Sequence, residues 1–202
     1  MNRKLYQWAF VLACAATAGC SSSGTAVQPV AYEKKAVTSE WMSSTEAQLR
    51  ESIAGSSFTL QRFENGWLVT APAQQSFNAD RPDLLLPVVL RPITRIAKLL
   101  ESSPESSVLI LGHTNQLHDD KANYQLSTDR AKAVASIFRL SGLGNRRMQH
   151  LGMGSAFALS ALKDSAQNHR VEIFIMPGTH MHDVVAEYQP AYNRQLALTQ
   201  AQ

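Results

Sequence analysis

Val108-Leu109-Ile110-Leu111 constrains this chain more than any other stretch. A compact apolar run rich in branched side chains, closed by Gly112-His113-Thr114-Asn115, reads as a short buried strand that empties into a polar loop. Leu126-Ser127-Thr128-Asp129-Arg130-Ala131 then opens an amphipathic run in which Leu126, Ala133, Val134, Ile137 and Phe138 recur at helical spacing. The unit is strand, site-bearing loop, helix, with Arg130 in the early turns of that helix and close to the loop.

The flanking sequence supplies the rest of an architecture. Residues 39–53 read as a short helix, with Ser43, Ser44 or Thr45 as candidate caps. Glu64-Asn65-Gly66 separates two alternating runs, residues 58–63 and 67–70, and Asn-Gly between such runs signals a β-hairpin. Its Phe63 and Trp67 read as packed core or edge aromatics ahead of the alternative, an exposed partner-binding pair. Pro72, Pro82, Pro87 and Pro92 make the next stretch a loop before a helix over residues 84–102 that kinks or starts late. A second helix over residues 123–141 ends at Gly142, a strand spans residues 146–152, and a last strand spans 171–176. Residues 177–202 lack a convincing core pattern and read as a mobile or weakly helical tail. This alternation predicts an α/β sandwich: a mixed sheet with helices packed on one face, preceded by a hairpin.

Residues 1–20 read as a bacterial lipoprotein leader. Arg3-Lys4 precedes an apolar run too short to span a bilayer, and Thr17-Ala18-Gly19 leads into Cys20. Lipidation is expected at Cys20, and Cys14 would leave with the leader, so no thiol remains for a disulfide, metal site or nucleophile. Ser21 after the cysteine favours an outer-membrane anchor facing the periplasm, with residues 21–38 as a flexible tether. The formal charge of +3 loses Arg3 and Lys4 with the leader, leaving 17 basic against 16 acidic side chains, a net +1. Nothing there, and no basic cluster with interleaved aromatics, points to nucleic acid.

Several short motifs occur in order: Gly112-His113-Thr114, Asn123-Tyr124, Leu126-Ser127, Arg130-Ala131, Gly142, Gly152-Met153-Gly154 and Asn168-His169-Arg170-Val171-Glu172-Ile173. Over residues 77–176 the chain resembles the OmpA C-terminal-like family, the wall-anchoring module of outer-membrane proteins and peptidoglycan-associated lipoproteins, with Phe77 as its entry aromatic. The resemblance implies that Arg130 meets the carboxylate of diaminopimelate in the peptidoglycan peptide stem, a charge-assisted pairing that suits Arg. The family acid that would face the ammonium is replaced by Asn115, which keeps a carbonyl acceptor and loses the charge. Thr114 completes the implied pocket. Arg170 either bridges to acids at the core edge or reaches the peptide. His113, Asn123 and Ser127 are expected to shape the loop and cap the helix. Asp119 or Asp120 is a candidate replacement for the missing acid. His118 stands where the family usually carries Gly, and Asp164-Ser165 where it carries Gly-Arg.

Three function classes follow. The first is a non-catalytic lipoprotein that binds peptidoglycan and ties the outer membrane to the wall. In the second, the domain docks protein partners in an envelope-spanning secretion or motor complex. Enzyme motifs are absent from the sequence: it has no Gly-x-Ser-x-Gly elbow, no phosphate-loop Lys and no His-Glu-x-x-His. Asp119-Asp120 near His113 and His118 is the one cluster that hints at hydrolysis. His180-x-His182 lacks a third ligand, so no metal and no cofactor are expected.

Overall fold

In the computed structural model, which describes residues 39–115 and 119–200, two strands that are buried on both faces set the architecture. The expected leader, the lipidated Cys20, the tether and His118 lie outside the described residues.

Strands β1 (Thr59–Phe63) and β2 (Gly66–Pro72) form the hairpin signalled by Asn65-Gly66. With β3 (Ser106–His113), β4 (Met148–Gly152) and β5 (Arg170–Pro177) they make one mixed sheet in the order β1-β2-β5-β3-β4. Only β3 and β4 run parallel; the other neighbours are antiparallel. The hairpin therefore belongs to the sheet, with β1 as its outer edge. Val69 and Ile110 both lie opposite Ile173, which brings three strands together at the centre.

Helices α1 (Ser39–Ile53), α3 (Pro87–Glu101) and α4 (Asp120–Leu140) pack on one face. They bury Leu49, Ile93, Ile96, Leu100, Val134 and Phe138 against Trp67, Val69, Val108, Ile110 and Ile173. At about 1.5–3 kcal/mol for each large aliphatic or aromatic side chain, this layer is the main stabilising term. Trp67 is fully buried with its ring 5.1 Å from that of Trp41. Phe63 packs edge-on against Phe174 with centroids 5.8 Å apart.

Local chemistry fixes where the helices begin. Pro87 takes the first helical position of α3, where a missing N–H costs nothing, so the helix starts there and carries Pro92 within it. Helix α4 begins at Asp120, three residues before the expected start, because the Asp119 carboxylate accepts from the Ala122 N–H at 2.8 Å. A single turn, α2 (Ala73–Ser76), follows β2 directly.

One expectation is corrected. Residues 178–200 are not a mobile tail: after a short 3-10 turn, α5 (Met181–Gln200) lies on the opposite face of the sheet. Met181 and Ala191, with Val184, Val185, Tyr188 and Tyr192, cover Leu109, Leu111, Phe174 and Met176. A face carrying those side chains has to be shielded from water, and α5 is the element that shields it. The expected mixed sheet with helices is present, and helices cover both of its faces. No described helix is long and apolar enough to cross a membrane.

Candidate functional site

Two glycines let α4 settle on the ends of the central strands. A Cβ on Gly112 would stand 1.9 Å from the Ser127 carbonyl oxygen, and one on Gly152 would stand 2.0 Å from Thr128 Oγ1. That close approach brings Ser127 Oγ to 2.9 Å from the Gly154 N–H, which it accepts, while donating to Tyr124 O at 2.8 Å. The Gly154 carbonyl in turn accepts from Thr114 N at 2.8 Å. Loop, turn and helix are thereby locked together behind the site. Ser127 has the loop-shaping role expected of it.

Arg130 projects from about the third turn of α4 and is only 6% exposed. Its Nε donates to the Pro82 carbonyl at 2.8 Å, its guanidinium lies 5.2 Å from the centre of the Phe77 ring, and Nη1 is 3.5 Å from His169 Nδ1. Burial lowers its pKa to about 10 against the opposing pull of Asp83, so the group stays charged at neutral pH. Phe77, Asn78, Pro82, Gln74 and His169 join Arg130 around a cavity of about 350 Å³. A buried, charged guanidinium beside an aromatic ring on the wall of a cavity is suited to a carboxylate.

The other expected residues are distributed differently. Thr114 and Asn115 follow β3 and are each 1% exposed, and neither lines the Arg130 cavity. The Thr114 hydroxyl is buried without a hydrogen-bond partner among the described residues. Asp119, a candidate for the missing acid and for a hydrolytic cluster, is committed to capping α4. The described residues contain no group of three or more His, Cys, Asp or Glu placed to hold a metal ion.

Arg170 does bridge to an acid. Its Nε donates to Glu172 Oε1 at 2.7 Å and its Nη2 to the Phe157 carbonyl at 3.0 Å. The second Glu172 oxygen lies 3.0 Å from His113 Nε2, and His113 Nδ1 lies 3.3 Å from the Ala156 carbonyl. Both ring nitrogens thus face oxygen atoms. Burial alone would raise the Glu172 pKa, but the His113 and Arg170 partners outweigh it and hold the carboxyl at about 2. Sequence reasoning did not find this triad or the roles of Pro82 and His169 beside Arg130. The antiparallel pairing of β3 with β5, which sets His113 opposite Arg170, carries that information, and no local motif does.

Comparison with known proteins fits this geometry. Residues 77–174 match the OmpA family. The probable lipoprotein YiaD of Escherichia coli is 29% identical over 140 residues, which are 68% of this chain and 64% of that protein, so the match stops short of two-thirds of the relative's length. The peptidoglycan-associated lipoprotein of Legionella pneumophila is 33% identical over 86 residues, 41% of this chain and 48% of that protein. Among solved structures, the cell wall anchor of the T6SS from Pseudomonas aeruginosa superposes with a TM-score of 0.55 at 22% identity, over 66% of this chain and 96% of that one. At that identity the likeness speaks for the fold. The matched segment, the mixed sheet and the helix that carries Arg130 agree: residues 77–174 of this chain form an OmpA-like domain.

Proposed function

We propose that this chain is a non-catalytic, lipid-anchored protein of the outer membrane, facing the periplasm, whose OmpA-like domain binds the peptidoglycan peptide stem. The observation that carries this reading is the charged, buried Arg130 on the wall of a cavity. The names of the relatives support it, one being a peptidoglycan-associated lipoprotein and one structural neighbour a cell wall anchor. Arg130 receives the carboxylate of diaminopimelate. Cys20 carries the lipid that joins membrane to wall. Asn115 stands where the family acid would face the ammonium end, supplies no charge and, like Thr114, is buried outside the Arg130 cavity, so the clamp is attenuated. A hydrogen bond to a charged partner is worth about 1.5–3 kcal/mol, so its weakening lowers affinity by roughly ten-fold or more.

Co-sedimentation of the leader-free chain with purified sacculi, competed by free meso-diaminopimelate, tests this reading. The account expects saturable binding that the free amino acid displaces and that Asn115→Asp strengthens about ten-fold. Sacculi that retain none of the natural chain would instead favour a second reading, docking within an envelope complex. That reading rests on the exposed apolar stretch before β5, where Leu159 is 62% and Leu162 69% exposed.

A further inference from the structure

The Arg130 cavity continues into a neighbour. Gln74 and His169 line both it and a second cavity of about 340 Å³. The wall they share is fixed in place. Ala73 N–H donates to the His169 carbonyl at 2.9 Å, so α2 seats Gln74 beside the residue whose Nδ1 lies 3.5 Å from Arg130 Nη1. Thr59 and Thr70 reach the second cavity from opposite each other on the hairpin. They precede the segment matched to the OmpA family, as do Gln74 and Gln75, so the hairpin and α2 add this cavity to the matched domain.

The lining of the second cavity sets what fits it. Pro72, Leu159 and Ala166 give it an apolar surface. Its accessible polar groups include the exposed amides of Gln74, Gln75 and Gln167, which donate and accept and so match peptide groups. Among the described residues no carboxylate lines it, and its one guanidinium, Arg170, is 3% exposed with Nε and Nη2 already bonded to Glu172 and Phe157. A charged ligand group would lose water there and gain no charge partner, so the cavity favours an uncharged one. Position narrows the choice. The end of diaminopimelate taken by Arg130 is only three methylenes from the end that is bonded into the stem. A cavity that shares Gln74 and His169 with the Arg130 cavity therefore receives a residue bonded directly to diaminopimelate, whereas the glycan lies two residues further along. Of the residues so bonded, γ-D-glutamate brings a free carboxylate and D-alanine a methyl group. The amide and apolar lining fits the D-alanine.

We propose that this second cavity is a D-alanyl subsite, which takes the uncharged peptide bond and methyl group on the carboxyl side of the diaminopimelate held at Arg130. The inference rests on the wall-binding reading above. It makes the ligand a stem that still carries D-alanine, sets Gln74 at the junction of the two cavities, and gives the hairpin a part in recognition.

Calorimetric titration of the leader-free chain with three soluble probes tests it: free meso-diaminopimelate, γ-D-Glu-meso-diaminopimelate, and meso-diaminopimelyl-D-Ala-D-Ala, whose second D-Ala moves the terminal carboxylate beyond the first peptide bond. The expected result is about ten-fold tighter binding of the D-alanyl probe than of the free amino acid, with the glutamyl probe no tighter than the free amino acid. Thr59→Trp, which fills the second cavity, and Leu159→Asp, which sets a carboxylate in it, are both at exposed positions outside the Arg130 cavity. Each should erase the preference for the D-alanyl probe, and an unchanged Tm shows that the variant remains folded. Three results overturn the subsite and leave the wall-binding reading standing: equal affinity of the natural chain for the D-alanyl probe and the free amino acid, a glutamyl probe that binds as tightly as the D-alanyl one, or a preference that survives either folded variant. Failure of the natural chain to bind any of the three probes overturns both.

Discussion

At Glu172 one buried carboxylate meets the imidazole of His113 and the guanidinium of Arg170. Its pKa of about 2 lies below the ordinary 4.5, so the ionised group stabilises the fold above about pH 4.5, and this contribution is lost as pH falls from there toward 2. The difference corresponds to something on the order of 3 kcal/mol. Urea midpoints at pH 7 and pH 3 should therefore drop more for the natural chain than for Glu172→Gln, which is less stable at pH 7 and flatter with pH; equal slopes would contradict the role. Residue-level features of the site were unevenly legible. The ordered motifs point to Arg130, whereas for Arg170 the sequence leaves a bridging role and a ligand-binding role both open. Phe77, Pro82 and His169, which surround Arg130, lie 39 to 53 positions away from it in the chain, a separation that no periodicity encodes. Burial of Asn115 and Thr114 was hidden for the same reason, since it depends on how β3, α4 and the Gly152-Met153-Gly154 turn close on one another.

Helix α4 is the element on which the site depends, and its placement is decided by small groups. A methyl at Gly112 would collide with the backbone of Ser127, which has no flexible end to move. Gly112→Ala should accordingly cost at least about 1–3 kcal/mol, read as a lower urea midpoint. An unchanged midpoint would mean that the strand and helix do not approach as closely as the structure places them. Loss of the cap is a milder test: Asp119→Ala should cost about 1 kcal/mol and fray the start of α4. A larger loss in sacculus binding than in stability would point instead to Asp119 as the substitute acid. The hairpin and the apolar strands were legible because Asn-Gly and uniform branched runs are local signals. The start of α4 was not, because a polar first turn has no apolar residue to announce it and only the Asp119 cap marks it.

For the whole molecule, the deciding fact is that the sheet is covered on both sides. Every residue of β3 and β5 is buried, so neither strand has a solvated face. Met181, Val184, Val185, Tyr188 and Tyr192 do recur at helical spacing, but Pro190 and the polar residues among them obscured the pattern, and the tail reading followed. The uninterrupted burial of β3 and β5 is the stronger clue, since it requires a second layer. Ending the chain after Pro177 should expose Leu109, Leu111, Phe174 and Met176, raise binding of an apolar dye and lower Tm; a truncated chain with unaltered Tm would restore the tail. The central claim is that Arg130 holds the wall ligand, and co-sedimentation with sacculi of the natural chain, Arg130→Ala and Arg130→Lys tests it most directly. The account predicts at least ten-fold weaker retention for Arg130→Ala, with partial recovery in Arg130→Lys, which keeps the charge and loses the planar fork. Retention of folded Arg130→Ala at the natural level would contradict it.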